Sequence, residues 1–203
     1  MKLIRTASSE WRDHVAFLAA LMRNPRAVGA IAPSSVQLAK KVAQHVSAGS
    51  RVIELGPGTG VVTRELMARV GGSGAILAVD TDREFVERIR RAWPEVDCVC
   101  ASAETLPALA ARRGWTDVDH IVCGLPFAVL PASTTTLIVE GVHQLLRHGG
   151  TFTTFQYAHT FKMRPAAAFR RQVTARLASQ PTSQLVVRNM PPALVLSWRH
   201  RAH

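Results

Sequence analysis

The sequence predicts an α/β fold in which a mostly parallel sheet of seven strands is covered by helices on both faces. Three observations carry that expectation. Short apolar runs alternate with helix-period stretches from residue 52 to residue 157. A glycine-rich turn, Gly56-Pro57-Gly58-Thr59-Gly60, joins the first apolar run to the helix after it. Two further strand-like runs close the chain on either side of Pro191-Pro192.

The elements follow in order. Trp11, Val15, Leu18 and Met22, widened by Phe17 and Leu21, mark an amphipathic helix over 10–23, with Ser8 or Ser9 as its cap and Pro25 after its end. Such a helix, with flanking arginines, suits either a membrane interface or the edge of the core. Residues 24–35 read as a loop, and Ser34 or Ser35 caps a helix to about residue 45. Val52, Ile53 and Leu55 form a buried strand, and Val61, Val62, Leu66 and Met67 face the core from the next helix. Strands are expected at 75–80, 96–101, 118–124 and 151–157. Helices are expected at 83–93, 104–113 and 134–147, the last closed by Gly149 and Gly150, and another opens at Pro165. The closing strands are expected at 185–189 and 193–198.

With 203 residues, 47% hydrophobic and 19% charged, the chain fits one globular domain or one domain with a short extension. No apolar run is long enough to span a bilayer, and residues 1–5 lack the apolar core of a signal peptide. Cys98, Cys100 and Cys123 lie in apolar runs and read as reduced core cysteines; no second pair stands at ligand spacing, so no metal is expected. The net charge of +11 is unevenly spread: Glu140 is the last carboxylate side chain, and nine Lys or Arg follow it. The first fifty residues carry seven bases against Glu10 and Asp13. Basic ends around a balanced centre imply an anionic partner, either a membrane surface or a nucleic acid.

The glycine turn lets a nucleotide-like ligand approach the backbone closely. Its G-x-G-x-G spacing differs from the G-x-G-x-x-G of dinucleotide sites, and Glu54 stands two residues before it. A buried carboxylate at a strand end asks for a cation. Asp80 ends the second strand, where a carboxylate can accept both ribose hydroxyls, although NAD domains use the same device.

These residues resemble the first motif, E/D-x-G-x-G-x-G, of class I S-adenosylmethionine-dependent methyltransferases. Arg26-Ala27-Val28-Gly29-Ala30-Ile31-Ala32-Pro33-Ser34-Ser35, together with that motif, resembles the bacterial phospholipid N-methyltransferases. The resemblance implies a Rossmann-like fold over 36–203, preceded by a helix and lid over 1–35, and S-adenosylmethionine as cofactor. It implies a cofactor site at Glu54, Gly56, Gly58, Thr59, Gly60, Asp80, Thr81, Ser102, Ala103, Glu104 and Gly124. Ser102 stands where that superfamily commonly has an Asp on the adenine, so the amide of Ala103 is an alternative contact, and Ser102 reads equally as a helix cap. Cys123-Gly124-Leu125-Pro126-Phe127 replaces the Asn/Asp-x-Pro-Tyr/Phe of adenine N6-methylating families, which argues against a nucleobase. Substrate contacts are then expected from Leu125, Pro126, Phe127, Tyr157, His159 and Arg164, with Lys162 nearby. Tyr157, the single tyrosine, is the candidate catalytic residue, holding the amine or receiving its proton.

The implied activity is methylation of phosphatidylethanolamine and its mono- and dimethyl derivatives towards phosphatidylcholine. The enzyme is expected to be a cytoplasmic monomer, peripheral to the anionic inner membrane face, with no nucleic-acid partner. The competing expectations are a ribosomal RNA adenine dimethylase and a non-catalytic lipid-surface or nucleotide-binding module.

Overall fold

The computed structural model describes residues 36–201; the helix expected at 10–23 and the loop at 24–35 lie outside them. Helix α1 (Val36–Val42) buries Leu38, Ala39 and Val42, one stripe at helical spacing. Strand β1 (Arg51–Leu55) and helix α2 (Val61–Val70) flank the glycine turn. Then come β2 (Ala75–Asp80), α3 (Arg83–Ala92), β3 (Asp97–Cys100), a 3-10 turn (Ala103–Thr105) and α4 (Leu106–Ala111). The chain continues with β4 (Val118–Cys123), α5 (Ala132–Leu145), β5 (Leu146–Tyr157), α6 (Arg164–Arg176), β6 (Thr182–Val186) and β7 (Ala193–Arg199).

The strands form one sheet in the order β3-β2-β1-β4-β5-β7-β6, with β7 alone antiparallel to both of its neighbours. Each face is buried by its own helices. Ile53, Leu55, Ile121, Cys123, Phe152 and Trp198 pack with residues of α4, α5 and α6. Val52, Ala78, Val122, Ala193 and Val195 pack with residues of α1, α2 and α3. The order reverses between β1 and β4, and a crevice at the carboxyl ends of these two strands is where open α/β sheets bind ligands.

Long-range pairing moves two of the expected elements, and a third is shortened. The helix expected to end at 147 stops at Leu145, because Leu146 already pairs with Val118 as β5. Gly149, with φ +82°, lies in the irregular start of that strand and donates to His200 O at 2.8 Å. The first closing strand is Thr182–Val186, not 185–189, because the antiparallel register sets Val186 opposite Ala193 and leaves 187–192 as the turn. The helix expected at 104–113 is shorter and begins as the 3-10 turn. Cys98 and Cys123 are buried as expected, whereas Cys100, at the end of an edge strand, is exposed. On that same edge Arg90 Nε of α3 donates to Cys98 O at 2.9 Å.

Gly60 shows how closely the turn packs against the end of α3. A Cβ there would lie 2.6 Å from Trp93 Cζ3 and 2.8 Å from Ile89 Cδ1, and φ is +84°. Gly71, with φ +66°, has nothing within 4 Å of such a Cβ and so isolates the backbone cost. Gly60→Ala is expected to lower the unfolding free energy by about 2–4 kcal/mol, and Gly71→Ala by only about 1–2 kcal/mol. Urea midpoints of the two variants at unchanged slope measure the difference; equal losses would remove the packing role of Gly60.

Candidate active site

The site is built where β1, β2 and β4 end. Gly56 and Gly58 have φ +73° and +52°, a left-handed backbone that a residue with a Cβ adopts only with strain. Gly58 N donates to Asp80 Oδ2 at 3.2 Å, so the carboxylate at the end of β2 braces the turn at the end of β1. Asp80 Oδ1 accepts from Asp82 N at 2.9 Å, and Asp82 caps α3 through Glu84 N. Thr59 is half-buried and Thr81 exposed beside them.

Glu54 alternates with Ile53 and Leu55 and therefore faces α2, where it is 1% exposed. Thr63 Oγ1, in the first turn of α2, donates to Glu54 Oε2 at 2.8 Å. Thr63 is the one hydrogen-bond partner of this carboxyl among the described residues, and Glu54 forms no ion pair there. Burial first, and then the charge of Asp80, push Glu54 up to about 8, against the pull of the Thr63 hydrogen bond. Two carboxyls beside a glycine cradle, one buried without a protein cation, fit a ligand that brings positive charge. S-adenosylmethionine, with its ammonium and sulfonium, meets that requirement.

Other expected contacts divide. Ser102 Oγ accepts from Glu104 N at 3.3 Å and donates to Glu104 Oε2 at 3.1 Å, so its side chain serves as the cap of the 3-10 turn. Ala103 is buried beside it. Gly60 belongs to the turn, but its missing side chain makes room for α3 and not for a ligand. Gly124 N donates to Leu55 O at 2.7 Å, and a Cβ on Gly124 would lie 2.8 Å from Gly56 O. Leu125 and Pro126 are half-buried at this corner, and Leu125 Cδ2 lies 3.0 Å from where a Gly56 Cβ would be. Phe127 is a correction. It is 2% exposed and stacks on Phe169 of α6 at 3.8 Å between ring centroids, so it is core and cannot line a substrate wall.

Tyr157 sits at the carboxyl end of β5, three residues beyond Thr154, the partner of Cys123 on β4. At about 3.3 Å per residue it stands roughly 10 Å past the end of β4. Its half-buried ring is edge-on to Phe155 and nearly parallel to His159 at 5.8 Å. Burial raises its phenol above the ordinary range, so the hydroxyl stays protonated at neutral pH. A protonated phenol at this position can orient an amine by hydrogen bonding. His159, Lys162 and Arg164 are exposed along the same turn.

Two residues of the site carry no signal in a sequence motif. Thr63 is one, hidden among helix-face residues. Arg170 of α6 is the other: Nη1 donates to Gln156 Oε1 at 2.6 Å and to Phe161 O at 2.9 Å, and its guanidinium lies 3.9 Å from the Phe161 ring centroid. It clasps the turn that follows Tyr157. A second cleft, lined by Asp117, His143, Arg147, His148 and His200, lies at the opposite end of the sheet, far from the switch point. The crevice rule selects the glycine turn over that cleft.

Two outcomes follow from this geometry. Glu54 is protonated in the fold and ionised in the unfolded chain between about pH 4.5 and 8, so its contribution is fully favourable below that window and is lost as pH rises through about 8. Glu54→Gln is therefore expected to flatten the fall in ligand-free stability over this range, read by denaturant titration at both ends; an unchanged slope would mean that the buried carboxyl is not its source. Arg170→Leu is expected to release the turn after Tyr157, cutting methyl-transfer turnover roughly tenfold or more while S-adenosylmethionine affinity by calorimetry stays within about twofold. Equal losses in both would show that Arg170 holds the whole fold.

Comparison with known proteins agrees with the fold. Residues 52–150 match a family described as a methyltransferase domain. An ornithine lipid N-methyltransferase of Singulisphaera acidiphila is 26% identical over 90% of this chain and 93% of its own length. A ribosomal RNA small subunit methyltransferase A of Thiobacillus denitrificans is 46% identical, but over only 42% of this chain and 31% of that relative. Among solved structures, 1,6-didemethyltoxoflavin-N1-methyltransferase of Burkholderia thailandensis, with S-adenosylhomocysteine bound, has a TM-score of 0.67 at 19% identity, over 100% of this chain and 92% of its own. With its 3-2-1-4-5-7-6 sheet and the matched segment, the chain has the Rossmann-like methyltransferase fold that uses S-adenosylmethionine as cofactor.

Proposed function

We propose that the protein methylates the amino group of a membrane lipid, phosphatidylethanolamine and its mono- and dimethyl derivatives, as a peripheral monomer on the anionic cytoplasmic face of a membrane. The observation that carries the choice of substrate is the corner at Gly124. An adenine amine is held by an Asn or Asp side chain in the families that methylate it, and here a Cβ already meets Gly56 O at 2.8 Å. A lipid amine on a flexible headgroup needs no planar acceptor at that point. The near full-length likeness to an ornithine lipid N-methyltransferase supports a lipid amine, whereas the likeness to ribosomal RNA methyltransferases takes in only 31% of one such relative's length and 47% of another's.

S-adenosylmethionine supplies an activated methyl group on a sulfonium. The turn from Gly56 to Gly60, Glu54, Asp80 and the backbone at Ala103 would hold it. Glu54 must ionise to pair an ammonium, so binding below about pH 8 releases a proton. Leu125 and Pro126 offer an apolar surface at this corner, which disfavours a charged amine and so favours the neutral nucleophile. The phenol oxygen of Tyr157 accepts from the amine N–H and aligns its lone pair with the methyl group. His159, Lys162 and Arg164 face solvent at the same rim and suit the headgroup phosphate. The amphipathic stretch at 10–23 belongs to this proposal as an interface helix.

Incubation with labelled S-adenosylmethionine and vesicles of phosphatidylethanolamine, vesicles of ornithine lipid, or ribosomal subunits tests the reading. Label is expected in phosphatidylethanolamine. Label confined to ornithine lipid would replace the substrate within the lipid class, and label confined to ribosomal RNA would overturn it. Tyr157→Phe is expected to lower lipid methylation roughly tenfold with cofactor affinity retained, the worth of one hydrogen bond at the reacting amine. Full activity of that variant would make Tyr157 a strand-end residue only.

A further inference from the structure

The turn between β6 and β7 stands at the same end of the sheet as the active site. Tyr157 pairs with Ala193, and Ala158 N donates to Pro192 O at 2.8 Å, so residues 187–192 flank the turn that carries His159 and Lys162. Within it Asn189 is 5% exposed and its Nδ2 donates to Pro191 O at 2.7 Å, which tucks the middle of the turn inward. Its neighbours go outward. Val187 is 67% exposed and Met190 63%, with Leu185 at 58% on the adjoining strand and Met163 at 41% where α6 begins. Four of the six large apolar side chains exposed among the described residues thus belong to this one end of the hairpin and helix. Isolated exposed apolar residues are ordinary; a group of them at the rim of a site is not.

The charges around them have one sign. Arg188 lies between Val187 and Met190, and Lys162, Arg164 and His159 are exposed on the neighbouring turn. No carboxylate side chain follows Glu140 in the sequence. Aliphatic tips ringed by cations match the acyl boundary and the headgroups of an anionic bilayer. Single-stranded nucleic acid is instead gripped by stacking aromatics, which the turn lacks. We infer that the β6–β7 turn is a membrane-docking surface, inserting Val187 and Met190 into an anionic lipid interface with Arg188 at the headgroups. The inference rests on the lipid-substrate reading and adds to it the face that meets the membrane. Docked there, the protein turns the carboxyl end of β5, with Tyr157, towards the bilayer.

The test places a reporter on the tip of the turn in the full chain. Cys100 is the one exposed cysteine, so Cys100→Ser leaves only buried thiols, and Val187→Cys then takes an environment-sensitive fluorophore. Ser73→Cys, exposed at the other end of the sheet, is the control. Vesicles of mixed phosphatidylglycerol and phosphatidylcholine are expected to blue-shift the label at 187 and not at 73, and pure phosphatidylcholine to have a weak effect. Arg188→Glu is expected to weaken partition roughly tenfold. Val187→Asp with Met190→Asp is expected to abolish it while the thermal shift by S-adenosylmethionine persists. Vesicle-bound protein with no shift at 187, or a shift produced by ribosomal RNA but not by vesicles, overturns the inference. A shift at 187 without methyl transfer to any lipid amine keeps the docking surface and removes the lipid-substrate reading.

Discussion

The structure depends on how closely the backbones at the ends of β1 and β4 meet. Gly124 N reaches Leu55 O at 2.7 Å, and the Cα of Gly124 leaves no space for a further carbon beside Gly56 O. This contact closes the floor of the crevice at the point where strand order reverses. It also decides what chemistry the corner can offer: backbone and apolar surface from Leu125 and Pro126, and no side chain from Gly124 itself. A steric constraint between two loops therefore reaches into substrate choice.

Electrostatics reinforce that architecture. The protein keeps Glu54 under the glycine turn with only a neutral hydroxyl, Thr63, to meet it, and sets Asp80 close enough to oppose its ionisation. A carboxyl so placed serves poorly as a structural group and well as a receptor for a cation. Asp80 has a second duty, because its bond to Gly58 N ties the end of β2 to the loop above β1. Ligand recognition and loop shape are thus carried by the same side chain.

Much of this was legible locally. The glycine turn, the carboxylates at the ends of two strands and the alternation of apolar runs with helical stripes are all features of neighbouring residues, and they placed the parallel strands and the turn between β1 and α2. What the sequence left hidden was decided by distant partners. The start of β5 depends on its pairing with Val118, and β6 on its register with β7. Phe127 looked like a site residue from its position after β4, yet Phe169 on α6 claims its ring. Arg170, next to Arg171, carries no motif signal, and only the fold shows it turned onto Gln156 and Phe161. Thr63 likewise needs β1 beneath it before its hydroxyl has a purpose.

The two borders of the sheet have a consequence for how copies of the chain meet. On the β3 side, Arg90 already occupies Cys98 O, so an incoming strand would have to displace a bound cation to form its ladder. On the other side, β6 begins with exposed Thr182 and Ser183 but carries the exposed Leu185 near its end, with no such cation on its edge among the described hydrogen bonds. The sheet therefore resists growth by strand addition at its β3 margin more than at its β6 margin.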